Sequence, residues 1–265
     1  MILIGERLNS SRSPVRQALE KRDENYLIQE ARRQVAAGAQ YIDFNASALM
    51  EKEIEILQWA VPLLQQNLNI PLAIDTPNPQ AMEVGLQLHR GQAILNSISA
   101  EKSRLEAMLP LIKTYSPLVI ALCLDDEGVP ATAEDCLRIA EQLIAAFQKN
   151  NLPLENIFLD PLVRPLGVNP EAGLIFLRSL ELLKKEFPQV KTVAGISNVS
   201  FGLPWRPLVN RTLLSLARQR GLDAAICNPL DKDLLAQLRV AEALLGEDPR
   251  LSNFLQFYRS HKNKK

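Results

Sequence analysis

The 265-residue chain carries thirty basic and thirty acidic residues, a formal net charge of zero, and 47% of its residues are hydrophobic. Without net charge it has no global field to gather nucleic acid or an anionic membrane surface, and that hydrophobic share supports one large core. Three cysteines, Cys123, Cys136 and Cys227, are odd in number and far apart, so they offer neither a disulfide framework nor a CxxC or Cys/His metal site. The apolar run 1–4 stops at Gly5-Glu6-Arg7, too early for a signal peptide, and no apolar stretch is long enough to cross a bilayer. A cytoplasmic protein is expected.

In chain order, short β-like runs alternate with helical patterns. Strands are predicted at 2–4, 40–44, 72–74, 93–95, 118–123, 157–159, 192–194 and 224–227. Amphipathic segments lie near 24–37, 50–66, 78–89, 101–113, 132–149, 171–186, 206–219 and 231–244. Gly38 suits the end of the first long helix. Thr132 and Asp135 read as a capping box ahead of a face made by Cys136, Ile139, Ala140, Leu143, Ile144 and Phe147. Eight strands, each followed by a helix, at a length close to the typical ~250 residues, predict an α/β fold with a single (β/α)8 TIM barrel. An open doubly wound sheet reads similarly, but no Gly-x-Gly-x-x-Gly follows any strand. The barrel is assigned to residues 1–245 and a C-terminal extension to 246–265. Its basic end, with Arg259, His261, Lys262, Lys264 and Lys265, reads as a frayed terminus after Phe257.

Polar groups follow the apolar runs again and again. Asp43 and Asn45 flank Phe44, Asp75 follows Ile74, Asn96 follows Leu95, Asp160 follows Leu159, and Asn198 sits in Ile196-Ser197-Asn198-Val199-Ser200. Each alone fits a cap or a turn, and Asp160 before Pro161 does so especially well. Five such positions at successive strand ends are hard to explain by capping, because parallel strands closed into a barrel aim those ends at one mouth. Asparagine only donates or accepts hydrogen bonds, whereas Asp43, Asp75 or Asp160 becomes an acid or base if burial raises its pKa. Together they match a heterocycle edge with paired N–H donors. His89 falls on a predicted helix and His261 in the tail, so charge-relay catalysis is not expected, nor is a bound metal.

The ordered set Ile4-Gly5-Glu6-Arg7-Leu8-Asn9, Asp43-Phe44-Asn45, Asp75-Thr76, Asn96-Ser97, Asp160-Pro161, 195–200 and Arg206-Pro207-Leu208-Val209-Asn210-Arg211 resembles the pterin-binding methyltransferases. Within them it is most similar to the methyltetrahydrofolate:corrinoid protein methyltransferases, and more distantly to the folate domain of cobalamin-dependent methionine synthase. The resemblance runs from Met1 to about Ala243. It implies a homodimeric barrel that binds methyltetrahydrofolate and exchanges its N5-methyl group with cobalamin carried by a separate corrinoid protein. It further implies catalytic roles for Asn198, beside N5, and for Asp43. Asp160 is expected on the pyrimidine edge, with Asp75, Asn96, Asn9, Asn45 and Arg206 as further pterin-binding residues. Dihydropteroate synthase is a rival pterin-binding barrel, but it carries a Lys on the strand-seven loop and an Arg-x-His near the last strand, where this chain has Asn198 and Asn228-Pro229. A non-catalytic folate-binding subunit would show the same binding residues. The stretch Phe201-Gly202-Leu203-Pro204-Trp205 is apolar where the corrinoid/iron–sulfur-protein branch is polar, which points to loop packing or to a different corrinoid partner. The loop Asp125-Asp126-Glu127-Gly128 is expected at the rim, with no deep lid over a mouth that must admit a macrocycle.

Overall fold

The computed structural model describes residues 1–262, with side chains through Ser260. Its strands are β1 (Ile2–Asn9), β2 (Tyr41–Asn45), β3 (Leu72–Asp75), β4 (Ile94–Ser99), β5 (Leu118–Leu122), β6 (Ile157–Asp160), β7 (Lys191–Gly195) and β8 (Ala224–Cys227). They pair in parallel and in sequence order, and β8 returns to β1 to close the barrel. The helices are α1 (Ser13–Glu20), α2 (Glu24–Ala36), α3 (Glu53–Asn67), α4 (Pro79–Leu88), α5 (Lys102–Tyr115), α6 (Ala133–Lys149), α7 (Ala172–Glu186), α8 (Arg206–Gln219), α9 (Lys232–Leu244) and α10 (Ser252–Lys262). The expected (β/α)8 barrel is therefore the observed one.

Local signals place several elements where the sequence puts them. Gly38 takes φ +105° just past α2, a conformation that costs a Cβ-bearing residue and suits a helix stop. The capping box of α6 is complete: Thr132 Oγ1 accepts from Asp135 N at 3.1 Å, and Asp135 Oδ2 accepts from Thr132 N at 3.1 Å. All six residues assigned to its inner face are buried.

Several elements differ from expectation. β1 runs on to Asn9 rather than stopping at Ile4, because Glu6, Arg7 and Asn9 face a cleft and not a core, which hides the strand from its apolar pattern. Residues 47–52 form a 3-10 turn, so α3 starts at Glu53. Helices α1 and α10 are additional. Pro14 in the first turn of α1 is its sequence signal. α10 is started by Asp248, whose carboxylate accepts from Asn253 N at 3.0 Å and Phe254 N at 2.9 Å. It continues through Lys262, past the predicted fraying point, and Phe257 packs against the apolar cluster shared by α7, α8 and α9. Lys264 and Lys265 of the basic tail lie outside the described residues.

Strand alternation divides the apolar residues into two systems. One set, including Ile42, Phe44, Leu72, Ile74, Leu95 and Leu159, packs outward against the helices. The other set, Ile4, Ala73, Ile94, Ile120, Phe158, Val193 and Ala224, fills the barrel interior from seven of the eight strands. Two residues further up the same strands the interior becomes polar: Glu6 follows Ile4, Asp75 follows Ala73, Asn96 follows Ile94 and Asp160 follows Phe158. That step is the floor of the site.

Candidate pterin site

A cleft of about 720 Å³ opens at the C-terminal ends of the strands, and all eight strands or the loops after them contribute to its wall. Seven of the eight residues predicted from sequence line it: Asn9, Asp43, Asp75, Asn96, Asp160, Asn198 and Arg206. Asn45 does not. It stands behind the wall, where its Nδ2 donates to Asp75 Oδ2 at 2.9 Å and its Oδ1 accepts from Ser10 Oγ at 3.0 Å and Ser47 Oγ at 2.9 Å. Its amide is fully occupied in orienting Asp75. The rim loop after β5 folds into a tight Asp125–Gly128 turn, with Asp125 held by Arg138 at 3.2 Å, and stays off the cleft wall.

The floor is a chain of hydrogen bonds. Asn96 Nδ2 donates to Asp43 Oδ1 at 2.9 Å. Burial, with the neighbouring Asp75 charge added, lifts the Asp43 carboxyl well above the usual range, which favours its protonated form. Burial also raises Asp75, to about 6, against the lowering effect of the bonds from Asn45 and Asp43. Two neighbouring buried carboxyls cannot both ionise cheaply, so the Asp75 charge adds to the cost of charging Asp43.

Asp160 has a different environment. Its Oδ1 accepts from Leu162 N at 2.8 Å, and burial pushes its pKa up to about 7 in spite of that bond. Among the described residues no second partner occupies this carboxyl. Asn198 is also uncommitted: its amide is exposed on the wall and bonds to no protein group among the described residues. Gly195 makes room for it, because a Cβ there would come within 3.0 Å of Asn198 Nδ2.

Sequence reasoning missed the groups that brace this floor. Arg104 on α5 donates to the carbonyls of Thr76 at 3.1 Å, Ser97 at 2.6 Å and Pro77, tying the ends of β3 and β4 together. Glu6, which lies in the Ile4–Asn9 motif but has no role predicted from sequence, reaches across to accept from Ser197 Oγ at 2.7 Å, next to Asn198. Burial raises its pKa, while that bond and Arg12, Arg206 and Arg7 lower it. Neither contact has a local sequence signal, since each joins segments far apart in the chain. Among the described residues no group of three or more His, Cys, Asp or Glu side chains is arranged to hold a metal ion, and no helix is long and apolar enough to cross a membrane.

Comparison with known proteins gives this arrangement a family. Residues 5–228 match the family described as pterin binding enzyme. The chain is 32% identical, over 99% of its length and 97% of the relative's, to a methylcorrinoid:tetrahydrofolate methyltransferase from Eubacterium limosum. The chain belongs to the pterin-binding enzymes. It is also 28% identical over 85% of its length to a methionine synthase from Mycobacterium tuberculosis, of which the match spans 20%. Among solved structures, a dihydropteroate synthase from Clostridium difficile, crystallised in the presence of pteroic acid, aligns with a TM-score of 0.71 over 92% of this chain and 96% of that one at 21% identity. That likeness speaks for the fold alone. Asp160, Asp75 and Asn96 put acceptors and a donor on the wall of a cleft large enough for a fused two-ring ligand.

Proposed function

We propose that this chain is a cytoplasmic enzyme that exchanges a methyl group between N5 of tetrahydrofolate and the cobalt of a corrinoid carried by a separate protein. The observation that carries the reading is Asp160, a buried carboxyl on the cleft wall with one backbone bond on Oδ1 and Oδ2 left for a ligand. The pyrimidine edge of a pterin offers adjacent N–H donors, which a carboxylate accepts as a parallel pair. Asn96 and Asp75 flank that edge, with Asn45 as the group that holds Asp75.

Asn198 then lies beside N5. When the folate gives up its methyl group, N5 must be protonated before the carbon–nitrogen bond breaks, and the bonding pair returns to nitrogen as the cobalt attacks in line. When the folate receives the methyl group, the N5 lone pair attacks carbon, the carbon–cobalt pair stays on the metal, and N5 sheds its proton. Asparagine moves no proton at ordinary pH, but its side-chain oxygen stabilises the N5–H⁺ that both directions pass through. The Asp43–Asp75 pair, whose carboxyls burial lifts above the usual range, is the acid or base within the same wall.

The rim supports a protein-bound acceptor. Phe201 and Trp205 are 68% and 78% exposed beside the cleft, and Met50 is 78% exposed on the loop after β2. Loops that lead from helices back into strands expose no large hydrophobic side chain among the described residues. Apolar and aromatic side chains gathered at one mouth are interface chemistry, which favours the partner-contact reading of 201–205 over loop packing. We also propose a homodimer: a second cavity of about 440 Å³ between α7 and α8 is walled almost wholly by apolar side chains, with Leu174 70% and Leu208 51% exposed. Leu174→Asp is expected to convert the dimer to a monomer in sedimentation velocity, and a wild-type monomer would refute this part.

The deciding assay mixes purified protein, methyltetrahydrofolate and chemically reduced cobalamin and follows loss of the cob(I)alamin band as methylcobalamin forms. Turnover is expected. Tight pterin binding with no exchange to free or protein-bound corrinoid, in either direction, would instead make the chain a folate-binding subunit.

A further inference from the structure

The cleft has two chemically distinct arcs. Acids and amides from β2, β3, β4 and β6 occupy one, while Arg7 and Arg12 from β1 and its loop, with Arg206 at the start of α8, occupy the other. Because β7, β8 and β1 are consecutive in the closed barrel, these three arginines share one side of the mouth. They are not equally free. Arg7 is committed to buried Glu30, which also pairs with Arg33 at 3.2 Å. Arg12 donates to the carbonyl of Arg7 at 2.9 Å and shares the Glu30 carboxylate through an ion pair of 3.8 Å, with 35% of its side chain exposed. Arg206 donates to Ser200 Oγ at 3.1 Å and to the Ser197 carbonyl at 3.1 Å, and pairs with no carboxylate among the described residues.

Two carboxyls lie on the same arc. Asp231 is already held by Arg211 through bonds of 2.7 and 3.0 Å. Glu6 bonds to Ser197 and lines the same cleft as Arg12, Arg206 and Arg7, all of which act on it electrostatically. The arc therefore retains unspent positive charge in a chain whose net charge is zero. Nothing in methyl transfer at N5 uses it.

The ligand proposed above has such a use. In a folate the pyrimidine edge and the side arm leave the two-ring system at opposite ends, and the arm terminates in glutamyl carboxylates. With the pyrimidine edge on Asp160, the arm leads away from the acidic arc. The geometry points to Arg12 and Arg206 as the receptor for the glutamyl tail, so that this enzyme prefers folates bearing an oligo-γ-glutamyl chain. The inference rests on the pterin reading of the cleft.

The test is calorimetric and independent of turnover. The full chain is titrated with a tetrahydropterin lacking the arm, with monoglutamyl tetrahydrofolate and with its tri-γ-glutamyl form, at low and high salt. Affinity should rise in that order, by roughly two- to fivefold for each carboxylate engaged, and the differences should shrink with salt. Arg12→Ala and Arg206→Ala should each reduce the preference for the triglutamyl form. Arg12→Lys should keep part of it, and a matched melting temperature would show that the fold is intact. Triglutamyl and monoglutamyl forms binding equally would overturn the inference while the pterin reading stands. A preference that survives both alanine substitutions would overturn it too. If none of the three ligands binds, the pterin reading falls and this inference with it.

Discussion

Two layers of the barrel interior lie two residues apart on the same strands and do opposite work. The lower one, with Ile4, Ala73, Ile94 and Phe158, is dry and close-packed. The upper one, with Glu6, Asp75, Asn96 and Asp160, buries carboxyls and amides and leaves several of their bonding positions to a ligand. Both layers sit on the same strands, with register shifts in the upper one at Gly5–Leu8 of β1 and Asn96–Ile98 of β4, and their side chains are of opposite chemistry. The lower layer converts burial into stability. The upper layer gives some of that stability back, because each raised carboxyl pKa marks a charge the fold disfavours.

The largest expected contrast comes from one substitution in each layer of β6. Phe158→Ala should cost about 3–5 kcal/mol in chemical unfolding, yet leave turnover per folded molecule within a few-fold of wild type. Asp160→Asn should weaken pterin binding by about 10²- to 10³-fold, because the ligand's N–H donors lose a charged acceptor. Its melting temperature should nevertheless rise at about pH 8. The folded protein holds the Asp160 proton up to about 7, whereas the ordinary value is 3.8. The stability of the neutral carboxyl is therefore full below that lower value and is lost as pH climbs through about 7. A fall in melting temperature for Asp160→Asn would mean that the two layers do not differ in this way.

Asn198→Ala comes next. It should lower kcat by about 10²-fold, as loss of one transition-state hydrogen bond does, with little change in pterin affinity or melting temperature. Parallel losses of stability and activity would make Asn198 a structural residue. The smallest effect is the pH dependence of binding. A carboxylate that must be ionised to accept two N–H groups binds better above its own pKa. Pterin affinity should fall as pH drops below about 7, approaching tenfold per pH unit, with protons released on binding. Calorimetry in buffers of different ionisation enthalpy reads that release directly, and a flat profile would remove Asp160 from the ligand.

Local chemistry made much of this visible in the chain. The strand count, the α6 capping box, the Gly38 stop and the convergence of Asp43, Asp75, Asn96, Asp160 and Asn198 all follow from short-range patterns and from the geometry of a closed parallel sheet. The upper half of β1 was hidden because cleft-facing Glu6, Arg7 and Asn9 interrupt its apolar pattern. Helix α10 was hidden because it starts from a side-chain cap on Asp248 rather than from a long apolar period.

By itself, then, the sequence determined the repeat of strand and helix and the residue types delivered to the mouth, since these depend on neighbours in the chain. Only the tertiary structure decided that Asn45 braces Asp75 from behind the wall, that burial beside Asp75 lifts the Asp43 carboxyl, and that Arg104 and Glu6 tie distant loops to the floor. Those roles depend on which side chains meet across the barrel and on how deeply each is removed from water. Neither quantity is a property of any one stretch of the chain.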